Sequence, residues 1–279
     1  MSGLPRPALA PGQAHLLRPD WRGRATRLSV LAAMLGLVLF GLHLIAFDPI
    51  KVVTGAADLG FLLVLMMPPD PGSLARAAIY GSALLETLAI AFLGTFGAAV
   101  LALPLGFMAA RNVMPAWVLR LATRRLCDTL RGIDILIWAL IWVNVVGLGP
   151  FAGVLAILAS DTGTFGKLFS EAIEAADRKP VEGVVSAGGT RVAAVRFGIL
   201  PQVLPVMASQ VLYYFESNTR SATIIGIVGA GGIGLHLYEQ IRTLEWQAVS
   251  FIVLMILALV AAIDLLSSRL RFAIIGRRG

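Results

Sequence analysis

Three groups of residues in this chain have types and spacings that could do chemistry. Glu216, Asn218 and Arg220 place an acid, an amide and a cation close together in an otherwise apolar run. Ionisable groups in such a run face one another or a solute pathway, and a cation such as Arg220 lowers the barrier to negative charge in a low-dielectric passage. A plainer reading stays open: Glu216 and Arg220 are four apart, so on a helix they would form an internal ion pair. The second group is the glycine run Gly229, Gly231, Gly232 and Gly234. Gly229, Gly231 and Gly234 satisfy a G-x-G-x-x-G dinucleotide pattern, but that pattern works between a strand and a helix, with an acid about 20 residues further on. No alternation of strands and helices surrounds it here, and an apolar run follows. An irregular backbone segment near an external membrane surface is the expectation, with glycine supplying turns and close helix approach. The third group is a polar interruption from Lys179 to Pro201, holding Glu182, then Gly188 six positions later, then Leu200-Pro201.

Other chemistries are excluded by what the sequence lacks. A phosphate-binding loop would need Ser or Thr after Gly166-Lys167 and a glycine where Asp161 stands; the residue that follows is Leu168. The chain therefore cannot hydrolyse ATP by that mechanism, and its energy must come from an ion gradient or another subunit. His15, His43 and His236 are too scattered for a metal site or a nucleophile–base pair, and the single Cys127 excludes an intrachain disulfide and a cysteine-based metal cluster. No metal or cofactor is expected on this chain.

The elements that must position these groups are membrane spans. The chain is 58% apolar and 14% charged with a mean hydropathy of +0.84, against roughly 25% charged in a soluble domain. Its 279 residues could hold about six spans of roughly 20 residues. The net charge of +7 would ordinarily raise nucleic acid as a partner, but the cations fall in clusters between apolar runs, which fits membrane topology instead. The spacing predicts spans over 28–47, 82–109 with a kink at Pro104, 132–146, 151–173, from Leu200 onward, and 248–266. Leu59 to Met67 is too short to cross, so an interfacial or packed segment is expected there, ended by Pro68–Pro71. Asp161 and Lys167 make the fourth span the weakest by hydropathy, and charges at that depth must face protein or water. Trp138 and Trp142 share one helix face and read as packing. The Arg-rich stretch from Ala110 to Arg131 and both Arg-rich termini place those regions in the cytoplasm. Counting six spans puts the Glu182 segment there too.

Within that segment, Pro180 suits a first helical position and Glu182 in the first turn complements the helix dipole. Gly188-Gly189 would break the helix before a second one over 190–197, and Leu200-Pro201 would restart a helix at the membrane. Periodicity alone describes an amphipathic connector.

The pattern Glu182-Gly-Val-x-x-x-Gly188 with Leu200-Pro201 at the matching distance resembles the EAA loop of ABC importer permeases. Val146-Gly-Leu-Gly-Pro-Phe-Ala-Gly-Val154, Lys167-Leu-Phe-Ser-Glu-Ala-Ile173, Leu200-Pro-Gln-Val-Leu-Pro205, Phe215-Glu-Ser-Asn-Thr-Arg-Ser-Ala-Thr223 and Val228-Gly-Ala-Gly-Gly-Ile-Gly234 extend the likeness to the phosphonate importer permeases. Gly183, Val184 and Gly198 depart from the usual two alanines and isoleucine, so looser helix packing is expected there. Ser160-Asp161 stands where similar permeases tend to carry His-Thr. The resemblance implies an all-α polytopic membrane protein of type I, methionine-permease-like architecture. It would comprise a basic arm (1–27), a first span with an external segment (28–78), a permease domain (79–270, coupling loop 175–200) and a basic tail (271–279). It also implies the partners: a second permease copy in a homodimer, two cytoplasmic ATP-binding subunits carrying ATP and Mg, a periplasmic phosphonate-binding protein, and the bilayer of a bacterial inner membrane. Phosphite, phosphate or methionine are alternative solutes. A stand-alone secondary transporter is the alternative class, and it would leave the loop pattern to chance.

Overall fold

The computed structural model describes residues 21–275, and among them the only regular elements are helices. The basic arm read over 1–27 falls largely outside the described residues, as does the end of the tail. The chain divides into two compact units between Phe61 and Leu62.

The first unit holds α1 (Trp21–Leu44) and most of α2 (Pro49–Leu65). Both expose apolar side chains all round, with no buried residue in α2. A helix apolar on every side belongs in a core or in lipid. α2 is longer than the short segment expected from Leu59 to Met67, because the run before it, from Pro49, is also helical. Asp48 accepts a hydrogen bond from the Ile50 amide (2.9 Å) at the start of α2.

The second unit is built on α3 (Leu74–Ala109), α4 (Trp117–Gly132), α5 (Ile135–Val146), α6 (Pro150–Glu174), α9 (Leu200–Ile227) and α11 (Trp246–Ile275). The short helices α7 (Arg178–Ser186), α8 (Arg191–Ala193) and α10 (Ile233–Arg242) lie between them. Among the described residues four helices are long and apolar enough to cross a membrane: α1, α3, the continuous α8–α9 segment and α11. A fifth crossing arises if α4 and α5, bent by 88°, count as one. α5 alone has 12 residues, about 18 Å of helix, too short for the span expected over 132–146. α6 has 25 residues, about 37 Å, so it is long enough to cross a membrane but less apolar than the four helices named.

The position of α6 explains why it can be less apolar. It packs against α3, α4, α5 and α9 at once, so Asp161, Thr162 and Ser170 are buried against protein, while Lys167 and Glu171 stay partly exposed and pair with each other (4.0 Å). The α3–α6 seam is made of small residues, with Ala91, Ala98 and Ala102 fully buried. A Cβ on Gly94 would stand 2.6 Å from Cβ of Ile157, and one on Gly106 would stand 2.7 Å from Cβ of Phe169. Apolar surface gains little by leaving lipid, so close van der Waals approach has to supply the association. Phe165 and Phe169, stacked 5.4 Å apart on α6, fill the space beside this seam.

Trp138 and Trp142 are half-buried on one face of α5 against the same core. The Trp138 indole N–H donates to the Leu130 carbonyl (3.1 Å), tying α5 back to the end of α4 across the bend.

Candidate functional site

Asp177 caps α7, its side chain accepting from the Lys179 amide (3.1 Å). The helix therefore begins two residues before Pro180, which sits third in it and not first. Glu182 falls in the second turn, so the favourable interaction with the dipole belongs to Asp177. Glu182 is exposed, and no side chain of α7 is buried. Gly188 (φ +82°) ends the helix, its amide and that of Gly189 returning to the Val185 and Val184 carbonyls (2.9 Å each). This left-handed turn is cheap for glycine and costly for other residues. Thr190 then caps α8.

Leu200-Pro201 does not restart a helix: residues 191–227 form one continuous helical segment. A π-helical turn, Ala194–Ile199, carries α8 into α9. Proline cannot donate to the ladder, and a register change just before Pro201 lets the axis continue without that bond. Gly198 lies in this turn, where a Cβ would come within 2.9 Å of Val181 on α7. The departure from isoleucine thus gives close packing between α7 and the base of α9, not the looser contact expected.

Gln202, whose role has no signal in the local sequence, fastens the same joint. Its side chain accepts from the Asp177 amide (3.0 Å) and donates to the Asp177 carbonyl (3.1 Å) and to that of Gly198 (2.6 Å). One amide side chain therefore links the cap of α7, the π-helical turn and the first turn of α9. α7 and α9 are thus joined by the Gly198–Val181 packing and by two hydrogen bonds from Gln202 to Asp177.

Inside the bundle, Glu216, Asn218 and Arg220 do not form one cluster. Glu216 and Arg220 share a face, and the carboxylate is held by Arg220 (3.4 Å) and by Arg271 from α11 (3.1 Å). Glu216 is buried, whereas the Arg220 side chain is half exposed. The internal ion pair foreseen for these residues is present, with Arg271 as a second cation. Ser209, Gln210, Tyr213, Glu216, Asp264 and Arg271 line a groove of about 410 Å³ between α9 and α11. Asn218 points the other way, toward α3 and α6, and donates to Thr95 Oγ1 (2.8 Å) and Asp161 Oδ2 (2.5 Å). All three side chains are buried. Asp161, read in the sequence as an interruption, is the centre of this network, and among the described residues no cation pairs with it.

The glycine run lies between α9 and α10, where Gly229, Gly231 and Gly232 have φ values of +94°, +82° and +76°. Two neighbouring side chains of α3 take up the first amides of α10: Glu86 accepts from Gly232 (2.8 Å) and Thr87 from Ile233 (2.8 Å). The Gly149 amide donates to the Gly229 carbonyl (3.0 Å), joining the turn before α6 to the same place. Gly234 packs directly on Gly226. The amides that a dinucleotide fingerprint offers to phosphate are here spent on Glu86 and Thr87. Only the pairing across the fold could have revealed that role for two side chains 146 positions away.

An exposed, capped helix joined to a long apolar helix, with a polar groove and a buried polar network between helices able to span a membrane, marks an α-helical membrane protein. Residues 102–278 match the family described as binding-protein-dependent transport system inner membrane component, and the chain belongs to that family. It is 37% identical over 258 residues to the phosphite transport system permease protein PtxC of Stutzerimonas stutzeri, covering 92% of this chain and 93% of that one. It is also 46% identical over 118 residues to PhnE2 of Escherichia coli (strain K12), a chain assigned to a cryptic phosphonate transport system. That match covers 42% of this chain and 97% of the other. The fold matches an inward-facing structure of the MetNI methionine ABC transporter with a TM-score of 0.62 at 22% identity, over 72% of this chain and 99% of that one. The type I importer-permease architecture expected from the sequence is the one found. As a member of this family the chain is the membrane component of an ABC importer, which works with a substrate-binding protein and an ATPase.

Proposed function

We propose that this chain forms the transmembrane passage of an ATP-driven importer for phosphonates, carrying these anions from the periplasm to the cytoplasm by alternating access. The resemblance of its motifs to phosphonate permeases and its similarity to PhnE2 support that solute class. Similarity to PtxC over nearly the whole chain supports phosphite as the second reading. Both solutes are small tetrahedral oxyanions of phosphorus, and a single cationic passage would serve either.

The observation that carries the mechanism is the joint between α7 and α9. α7, with Glu182 exposed and Gly188 closing its end, would dock on a cytoplasmic ATPase subunit that binds ATP and Mg. Closure of two such subunits would push α7, and Gln202 with the Gly198–Val181 contact would transmit the push to α9. The passage would lie between two copies of this chain, because the polar face of α9, with Tyr213 and Arg220 exposed, is costly against lipid. Arg220 keeps guanidinium donors beyond its contact with Glu216 and would meet the anion. Both termini would then be cytoplasmic, together with the arginines of α4. A periplasmic phosphonate-binding protein would deliver solute at the opposite face, where the Gly229–Gly234 turn lies.

The test is Glu182→Arg in the purified assembly with its ATPase. The expected result is loss of solute-dependent ATP hydrolysis and of uptake with the chain still inserted. Normal coupled uptake would remove the proposal. Competition between a phosphonate and phosphite for the partner binding protein decides between the two solutes.

A further inference from the structure

α4 carries charge that the transport reading does not use. Arg111, Arg120, Arg124 and Arg125, with Trp117, Leu121 and Asp128, line a cavity of about 480 Å³. Arg124 is engaged by Glu174 and by the Ala109 carbonyl, and Asp128 is shared between Arg125 (3.6 Å) and Arg131 (3.7 Å). The ion pairs of this region include neither Arg111 nor Arg120. With Arg124 paired to Glu174 and Arg125 to Asp128, Arg111 and Arg120 are the two cations of the cavity outside its ion pairs, and they can take an anion.

The rest of α4 says what kind of anion. One strip of the helix, Thr123 and Cys127, is buried on α6. Beside that strip, Val118, Leu119 and Leu126 are exposed, and Trp117 is exposed at the rim of the cavity. The following helix, α5, is almost wholly apolar and turns away at 88°. If α5 runs into the bilayer, α4 lies in its plane, with arginines toward water and apolar side chains toward the acyl region. That is how an amphipathic helix sits at a membrane surface. A soluble anion would use the arginines and leave Val118 and Leu126 uncovered. A phospholipid would satisfy both, with its phosphate between Arg111 and Arg120 and its chains beside the apolar strip. Basic pockets beside spans on the cytoplasmic side bind anionic headgroups in this way.

The geometry points to a binding site for an anionic phospholipid of the cytoplasmic leaflet in the Arg111–Arg120 cavity, a reading that rests on the proposed orientation with α4 inside. The Arg111 amide donates to Glu174 at the end of α6 (2.7 Å), three residues before the cap of α7, so an occupied site would brace the helix that leads into the coupling loop.

The test is native mass spectrometry of the full-length chain in mild detergent with an equimolar mixture of phosphatidylglycerol and phosphatidylcholine. Phosphatidylglycerol should be retained with roughly thirtyfold preference, two cations acting on its headgroup. Arg111→Gln with Arg120→Gln should abolish the preference, and the paired Lys substitutions should keep most of it, which separates charge from misfolding. Equal retention of the two lipids, or undiminished phosphatidylglycerol on the Gln variant, overturns the proposal. So does displacement of the lipid by excess inorganic phosphate, which would assign the site to free phosphate. Loss of a co-purifying ATPase from the Gln variant with unchanged lipid retention overturns it in favour of a protein-docking surface. The measurement involves no transport, so a failed lipid site and a failed transport reading give different results.

Discussion

Glu216 has two arginines, and the structure divides their roles. Arg271 is mostly buried and contacts the carboxylate at 3.1 Å, whereas Arg220 is half exposed and contacts it at 3.4 Å. Replacing Arg271 by Gln removes a charge-assisted hydrogen bond, a change worth roughly 1.5–3 kcal/mol. Arg220 remains to neutralise Glu216, so the lower end applies, about 1.5 kcal/mol of stability. Replacing Arg220 by Gln removes a longer, solvent-screened contact and should cost under about 1 kcal/mol. Transport should reverse the order. If Arg220 meets the anion, its loss removes one charged interaction from the passage, and uptake efficiency should fall by roughly tenfold to hundredfold. Arg271→Gln should leave uptake per folded complex within a factor of about three, since about 0.6 kcal/mol corresponds to that ratio. The assay is solute uptake into proteoliposomes, normalised to inserted protein, beside denaturation of the same preparations. Uptake by Arg220→Gln within about twofold of the wild type, a difference of under about 0.5 kcal/mol, would refute the assignment of Arg220 to the passage. A stability loss equal to that of Arg271→Gln would refute the division of roles.

Two further outcomes test the joint and the buried network. Gln202→Ala breaks both hydrogen bonds from α9 to the cap of α7, and a third to Gly198 within the helical segment itself, while leaving the exposed surface of α7 intact; the ATPase should still bind, but uptake per ATP hydrolysed should fall several-fold, and an unchanged ratio would show that packing alone transmits the motion. Asp161→Asn keeps an acceptor for Asn218 and removes a carboxylate that has no cation partner among the described residues, so stability should be kept; Asp161→Leu leaves the Asn218 amide short of an acceptor and should cost about 1–3 kcal/mol, read by denaturation of the purified chain.

Much of this protein was legible in its sequence because membrane insertion and turn chemistry are local. Long apolar runs must become helices wherever backbone groups cannot reach water, so the spans around Pro104 and from Ala248 onward were readable without a partner. Gly188 announced its turn because a left-handed residue is cheap only for glycine. Glu182 and Leu200-Pro201 were readable as a pattern, since their spacing follows the chain. The absence of a phosphate-binding loop was readable in the same way.

Tertiary structure decided what depends on neighbours. α6 looked the weakest span because hydropathy assumes lipid around a helix, and protein surrounds this one. Asp161 looked like a defect until α9 brought Asn218 against it. Glu216 and Asn218, two residues apart, were grouped by sequence and separated by helix geometry, which turns them toward opposite sides. Glu86, Thr87 and Gln202 carry no local signal, because each acts by satisfying backbone groups that only folding brings within reach. The glycine run from Gly229 to Gly234, which matches a nucleotide fingerprint by pattern, is a helix-to-helix turn for the same reason: the Gly232 and Ile233 amides are taken by Glu86 and Thr87.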